Sequence, residues 1–101
     1  MKLLYISGKY TANSIWETQE NIRIAEKYLI KYLNLGYAVH CPHKNTAMLD
    51  GIVGIDTSMN NDLEILKRCD CVVMLPDWKQ SKGANIEHSL AQDMHKEIIY
   101  E

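Results

Sequence analysis

Apolar residues occur along the chain in four short runs that are hydrophobic almost throughout, separated by longer stretches in which they recur at helical spacing. Runs that do not alternate with polar residues are typical of strands buried on both faces of a parallel sheet. The four predicted strands are Lys2–Ser7, Tyr37–Cys41, Cys71–Leu75 and Glu97–Tyr100.

Three helices are predicted in the stretches between these strands. The first follows Ser14 and Glu17, which have capping-box spacing, and it ends before Gly36. The second is predicted over about Ser58–Arg68 and the third over about Ser81–His95. Strands that alternate with helices in this way predict an α/β fold.

We therefore expect residues 1–101 to form a single domain with a three-layer, flavodoxin- or Rossmann-like architecture, in which about four parallel strands carry helices on both faces. In such open sheets, ligands bind beyond the carboxyl ends of the strands, where the strand order reverses. Three connections lie at that edge: Ser7–Thr11, the segment after Cys41, and Pro76–Ser81. The second of them, about Pro42–Thr57, is predicted to be a long loop, and such loops are often functional.

Composition excludes several classes of function. With a net charge of −2 over 101 residues, the chain has no basic surface for a nucleic-acid polymer. No apolar run approaches the length of a transmembrane helix and residues 1–30 lack the pattern of a signal peptide, so we expect a cytoplasmic protein with no membrane partner. Three cysteines, an odd number, do not make a disulfide framework.

Glu87 is the first candidate for chemistry, because it interrupts the apolar face of the third predicted helix. On a helical wheel it falls in the arc that contains Ile86, Leu90 and Met94. A carboxylate that faces the core is unfavourable unless something compensates, and the free amides and dipole near a helix start favour an anion. We therefore expect Glu87 to be ionised, shielded from water, and suited to nucleophilic attack or to stabilising a cation.

Asp62 repeats this arrangement on the second predicted helix. It shares a face with Met59, Leu63 and Leu66, near the helix N-terminus. Either acid alone is equally well explained as a capping residue that satisfies backbone amides. Two inward-facing acids that each follow a connection at the ligand edge favour a site, and pairs of carboxylates are the usual groups for breaking glycosidic C–N or C–O bonds.

The start of the third predicted helix also has the residues of a small anion cradle. Ser81, Lys82 and Gly83 supply a hydroxyl, a cation and a glycine beside the exposed amides of a helix start, although the same residues are typical of ordinary capping. After the first strand, Gly8 allows a ligand to approach the backbone.

Histidine, cysteine and tryptophan give weaker signals. His40, Cys41 and His43 have the chemistry of metal ligands, but no second cluster has suitable spacing, so no metal site is predicted. Trp78 lies in the connection before Ser81, where it either covers a ring-shaped ligand or packs on the protein surface.

Three segments in order, YISG at Tyr5–Gly8, NNDL at Asn60–Leu63 and SKGANIEHSLA at Ser81–Ala91, resemble the nucleoside 2-deoxyribosyltransferase-like superfamily over nearly the whole chain. The nearest members are small, often phage-borne, deoxyribosyltransferase-like domains. The resemblance implies that Glu87 attacks the anomeric carbon and forms a glycosyl–enzyme intermediate. It also implies that Asp62 assists at the sugar and the leaving base, and that Tyr5 borders the sugar.

Position 81 distinguishes two branches of the superfamily. Transferases that act on free nucleosides have an aspartate there, whereas the nucleotide N-hydrolases have a serine that contacts the 5′-phosphate. Ser81 and the adjacent Lys82 therefore place the chain nearest to the nucleotide N-hydrolase branch, with a nucleoside 5′-monophosphate, preferably a deoxyribonucleotide, as substrate. Those hydrolases carry an arginine near the first strand, where this chain has Thr11 and the only nearby cation is Lys9.

The predicted function is an N-glycosidase that requires neither a metal nor a redox cofactor. Two alternatives stay open: a transferase that passes the sugar to a second base, and a non-catalytic module that binds a nucleotide in the same crevice. The resemblance also implies a homodimer or a higher homo-oligomer. Tyr28, Tyr32 and Tyr37 either form a dimer face or belong to the core.

Overall fold

The computed structural model describes residues 1–101 and contains one four-stranded parallel sheet with the strand order β2-β1-β3-β4. The elements in chain order are β1 (Leu3–Ser7), α1 (Ile15–Asn34), β2 (Ala38–His40), α2 (Pro42–Asn45), α3 (Ile55–Lys67), β3 (Cys71–Met74), a 3-10 turn (Trp78–Gln80), α4 (Lys82–Asp93) and β4 (Glu97–Tyr100). After β1, the chain forms β2 on one side of that strand, and it then crosses over to form β3 on the other side. The strand order therefore reverses between β1 and β3, and a ligand crevice is expected beyond their carboxyl ends.

Helices cover both faces of the sheet, which confirms the predicted three-layer α/β fold. Alternate residues of one strand point to opposite layers. Leu4 and Ile6 of β1 pack in the core cluster under α1, whereas Tyr5 packs in the cluster under α3 and α4. None of the helices is both long and apolar enough to cross a membrane.

Both ends of α1 follow the local signals, whereas the end of α4 does not. The Ser14 side chain accepts a hydrogen bond from the Glu17 amide at 3.1 Å, as its capping position predicts. Gly36, just past α1, adopts the left-handed conformation with φ +96°. The third helix was predicted to continue to about His95, which is too long. It corresponds to α4, which ends at Asp93, and His95 already has a left-handed backbone conformation with φ 56°.

The prediction of a continuous loop over Pro42–Thr57 is wrong at both ends. Pro42 begins the short helix α2, since the fixed φ of proline suits the first turn of a helix. Helix α3 begins at Ile55, three residues before the predicted start at Ser58, with Gly54 as its N-cap. The residues between α2 and α3 contain one isolated bridge.

The tyrosines of the first helix region belong to the core. Tyr32 is buried, and Tyr28 and Tyr37 pack against the same cluster of side chains under α1. Of the two alternatives from the sequence, these contacts support the one in which the tyrosines belong to the core.

Candidate active site

Glu87 is a buried acid on α4, directed at the carboxyl end of β1. Its side chain faces the sheet with 6% of the residue exposed, as the helical wheel predicts. The predicted apolar arc is wrong in part, because Ile86 and Met94 are exposed and the buried face of α4 consists of Ala84, Glu87 and Ala91. It lies at the point where the strand order reverses. The most buried carboxyl group of the chain therefore stands where an open α/β sheet binds its ligand.

Both carboxyl oxygens of Glu87 are held by hydroxyl groups of β1. Ser7 Oγ donates to Oε1 at 2.7 Å, and the Tyr5 hydroxyl donates to Oε2. Tyr5 and Ser7 are two residues apart on one strand, so their side chains point to the same face of the sheet. Neither donor is charged, so the carboxyl group is oriented without being neutralised by a cation.

The prediction that Glu87 is simply ionised is wrong. Burial raises the pKa of Glu87 to about 7, and the charge of Asp62 raises it further, while the hydrogen bonds from Tyr5 and Ser7 lower it. The amides at the start of α4 that have no backbone acceptor within the helix are those of Lys82–Ala84, and Glu87 lies beyond them. At neutral pH the group is therefore divided between the acid and the carboxylate.

Asp62 lies on α3, half-buried, within electrostatic reach of Glu87 and Tyr5. Burial raises its pKa, against a weak 3.4 Å hydrogen bond from Asn61 Nδ2. The prediction that Asp62 stands near a helix N-terminus is wrong, because α3 begins at Ile55, about two turns earlier. Asp62 is thus not a capping acid, which removes the ordinary structural explanation for it.

Ser81 caps α4, at the same edge of the sheet. Its Oγ accepts a hydrogen bond from the Ala84 amide at 3.2 Å, and its hydroxyl proton stays available as a donor. Lys82 is exposed and takes part in no ion pair. Gly83 has a packing role, since a Cβ there would lie 3.1 Å from Met59 Cε on α3.

The connection after β1 also stands at this edge. Lys9 Nζ donates to Gln80 Oε1 at 3.0 Å, which brings its cation beside the 3-10 turn that precedes Ser81. The expectation that Gly8 admits a ligand is not supported, because Leu75 fills that space. A Cβ on Gly8 would lie 2.9 Å from Leu75 Cβ and Cδ1, so glycine is required for packing.

A family model described as "Domain of unknown function (DUF4406)" matches residues 2–100 of the chain. The chain belongs to the DUF4406 family. No curated protein matches its sequence. The family assignment covers the whole sheet and both candidate acids, so Glu87 and Asp62 are parts of one DUF4406 domain.

Two solved structures share the fold of this DUF4406 chain. The 2-deoxyribosyltransferase of the psychrotolerant bacterium Bacillus psychrosaccharolyticus has a TM-score of 0.75 and 18% identity, over 97% of this chain and 70% of its own. The 2-deoxyribosyltransferase of Leishmania mexicana has a TM-score of 0.64 and 19% identity, over 99% of this chain and 63% of its own. The likeness to the nucleoside 2-deoxyribosyltransferase-like superfamily is thereby confirmed at the level of the fold.

Trp78 packs on its own chain in this DUF4406 structure. Its ring lies 4.3 Å from the His88 ring, measured between centroids, and His88 Nε2 is 2.7 Å from the Tyr100 hydroxyl. Of the two interpretations from the sequence, surface packing is the one that the contacts support.

The histidines after β2 have different surroundings. His43 is buried, and its Nε2 donates to the Lys9 carbonyl oxygen at 2.7 Å, which anchors the connection after β1. His40 pairs with Tyr5 across the sheet, with their ring centroids 5.7 Å apart, and its Nε2 is buried without a hydrogen-bond partner. No three metal-ligating side chains converge anywhere in the molecule.

Sequence reasoning missed Ser7 as a site residue. The sequence places Ser7 at the start of a connection on the ligand edge, but as the end of the apolar run Lys2–Ser7 its side chain was assigned no role. The available signal was strand parity, since Tyr5 and Ser7 share a face and only Ser7 is a small polar residue there.

Proposed function

We propose that this protein is an N-glycosidase that cleaves the bond between base and sugar in a nucleoside 5′-monophosphate, with deoxyribonucleotides preferred. The observation that carries the proposal is Glu87, a buried acid held by two neutral hydroxyl groups at the strand-order reversal. The fold shared with two 2-deoxyribosyltransferases supports chemistry at the same kind of bond.

In the first step, the ionised form of Glu87 attacks the anomeric carbon. A C–O ester bond forms as the C–N bond to the base breaks, and the bonding electron pair leaves with the base. The base takes up a proton as it departs. Asp62 is the proposed donor or sugar-orienting group, since burial raises its pKa and favours the protonated form.

In the second step, water attacks the anomeric carbon and the C–O bond to Glu87 breaks, which regenerates the Glu87 carboxylate and releases the sugar phosphate. The proton of the water passes to the Asp62 carboxylate that the first step leaves. A second base in place of water gives a transferase, which is the first alternative. The reaction needs only acid, base and nucleophile, and so it requires neither a metal nor a redox cofactor.

Release of free base, measured by HPLC, tests the proposal. Deoxyribo- and ribonucleosides are incubated with the protein, each with and without a 5′-phosphate, and a second base is added in parallel reactions. We expect base release from a 5′-monophosphate. A new nucleoside formed only with added base indicates transfer. Tight calorimetric binding without turnover supports the non-catalytic module, and failure to cleave any of these compounds contradicts the enzyme.

The 5′-phosphate is assigned to the cations and the hydroxyl at the start of α4. Ser81 has a free hydroxyl proton, Lys82 is unpaired, and Lys9 stands beside the same turn through Gln80. Lys9 is the proposed replacement for the arginine that the nucleotide N-hydrolases carry, because Thr11 has no charge.

Ser81→Asp is expected to exchange the substrate preference. Aspartate still caps the helix, but its charge repels a phosphate. The loss of one charge-assisted hydrogen bond raises KM for the 5′-monophosphate about 10- to 100-fold, while KM for the free nucleoside stays the same or falls. Ser81→Thr, which keeps both the cap and the hydroxyl, is the matched control. An equal change in KM for both substrates would mean that Ser81 does not contact the phosphate.

We also propose that the chain self-associates through the edge of the sheet that carries the site. The segments at this edge expose large apolar side chains, with Ile52 at 83% and Ile55 at 87% exposed. Ile15 and Met48 line a groove of about 270 Å³, to which Asp50 of the same connection also contributes. Several large exposed apolar side chains in one connection favour an interaction site. Sedimentation of the wild type is compared with that of Ile52→Lys. We expect the wild type to sediment as an oligomer and the variant as a monomer, and a monomeric wild type contradicts the proposal.

A further inference from the structure

Ser7 is a polar side chain at a fully buried position, the last residue of β1. Its hydroxyl group makes one side-chain hydrogen bond, to Glu87 Oε1 at 2.7 Å. A buried hydroxyl is unfavourable unless it has a partner, and alanine would pack here with almost the same shape. The serine therefore has no function in packing that alanine could not fulfil.

The two donors on Glu87 restrict different motions of the carboxyl group. With only the Tyr5 bond to Oε2, the carboxyl group can turn about its last bond and carry Oε1 with it. The second bond from Ser7 fixes the plane of the group. Because both donors belong to one strand, they form a rigid fork whose spacing the sheet determines.

Both donors keep their protons as the pH changes. Burial, together with the charge of Glu87, raises the pKa of Tyr5 far above its ordinary value, so its hydroxyl stays a donor throughout the working range. A serine hydroxyl does not titrate in that range either. Both bonds therefore favour the carboxylate over the protonated acid at every relevant pH.

We propose that Ser7 is a positioning residue that fixes the plane of the Glu87 carboxylate and favours its ionised, attacking form. The role is indirect, because the hydroxyl acts on Glu87 and not on the substrate. It rests on the proposed function, in which Glu87 is the nucleophile.

Ser7→Ala tests the proposal through the pH dependence of base release. Loss of a charge-assisted hydrogen bond raises the pKa of Glu87 by about one to two units. The acidic limb of the kcat/KM profile should move upward by the same amount, so activity at pH 7 falls about 5- to 50-fold and recovers as the pH rises. Loss of packing alone would lower activity equally at every pH.

Titration of the resting protein by NMR, with glutamate labelled at its side-chain carbon, gives the pKa of Glu87 without any substrate. Ser7→Cys has nearly the same size but a weak donor, so it should give an intermediate pKa, and it replaces Ser7→Ala if that variant does not fold. An unchanged pKa in the variant overturns the role of Ser7 even if the enzyme is active. An upward shift supports that role even if no base is released, an outcome that contradicts only the proposed function.

Discussion

Exchange of Glu87 for glutamine is expected to lower kcat/KM for base release by about 10⁴-fold or more, as removal of a nucleophile does in other covalent enzymes. Glutamine has the same shape and can still bond to Tyr5 and Ser7, so the site stays filled. What it loses is the anionic oxygen that forms the ester with the anomeric carbon. The loss is in chemistry rather than in binding, and it should appear in kcat with little change in substrate affinity.

Base release by HPLC measures this loss, and a mass increase of the intact wild-type protein with excess substrate detects the glycosyl ester. Asp93→Asn is the matched control, because Asp93 is an exposed acid on the same helix. It should keep full activity. If Glu87→Gln retains activity within about tenfold of the wild type, the carboxylate is not the nucleophile.

The position of Glu87 could be predicted from the sequence because it depends on one periodicity. A single helix fixes which residues share a face, and the buried face of α4 is that of Ala84, Glu87 and Ala91 at helical spacing. The larger apolar residues Ile86 and Met94 point away from it, so only the centre of the predicted arc is correct. The sheet was predictable for a similar reason, since short apolar runs between helical stretches leave few arrangements.

The ionisation of Glu87 was not predictable in the same way. It depends on donors 80 and 82 residues away in the chain, which become neighbours only when β1 and α4 pack on each other. The helix start compensates for less of the desolvation cost of Glu87 than expected, because desolvation is the larger effect for a residue at 6% exposure.

The surroundings of Gly8 and Gly83 were also not predictable from local sequence. A glycine beside a predicted ligand edge is equally suited to a ligand and to a side chain from another element. Gly8 meets Leu75, and Gly83 meets Met59, and neither neighbour is close in sequence. Long-range packing thus explains the glycine at position 8 without a ligand, whereas the positions of Ser81 and Glu87 follow from local patterns.

The actual start of α3 strengthens the interpretation of Asp62 as a functional residue. With the predicted helix start at Ser58, it stood in the first turns, where an acid needs no special explanation. The actual start at Ile55 places it in the middle of α3, half-buried and with a raised pKa. The correction that weakens the capping interpretation therefore strengthens the case for two acids that act together.

Glu87→Gln is also expected to stabilise the protein above pH 7. The pKa of Glu87 is about 7 in the folded chain against an ordinary value of 4.5, so the folded state holds a proton that the unfolded state releases. Between these two values stability falls as the pH rises, because unfolding releases that proton. The stabilising contribution of Glu87 to the free energy of unfolding is fully present below pH 4.5 and is lost as the pH passes 7. The change in that free energy is about 3 kcal/mol for this group.

Urea unfolding of the wild type and of Glu87→Gln at pH 4.5, 6 and 8 measures this change. Other acids titrate over the same range, so the difference between the two proteins isolates Glu87. The free energy of unfolding of Glu87→Gln, relative to that of the wild type, should rise by about 3 kcal/mol from the lowest to the highest pH. Asp93→Asn should show no such trend. A constant difference would mean that Glu87 keeps its ordinary pKa when folded. A rising difference means that burial of Glu87, the proposed nucleophile, lowers stability at neutral pH, as expected where function conflicts with the most stable packing.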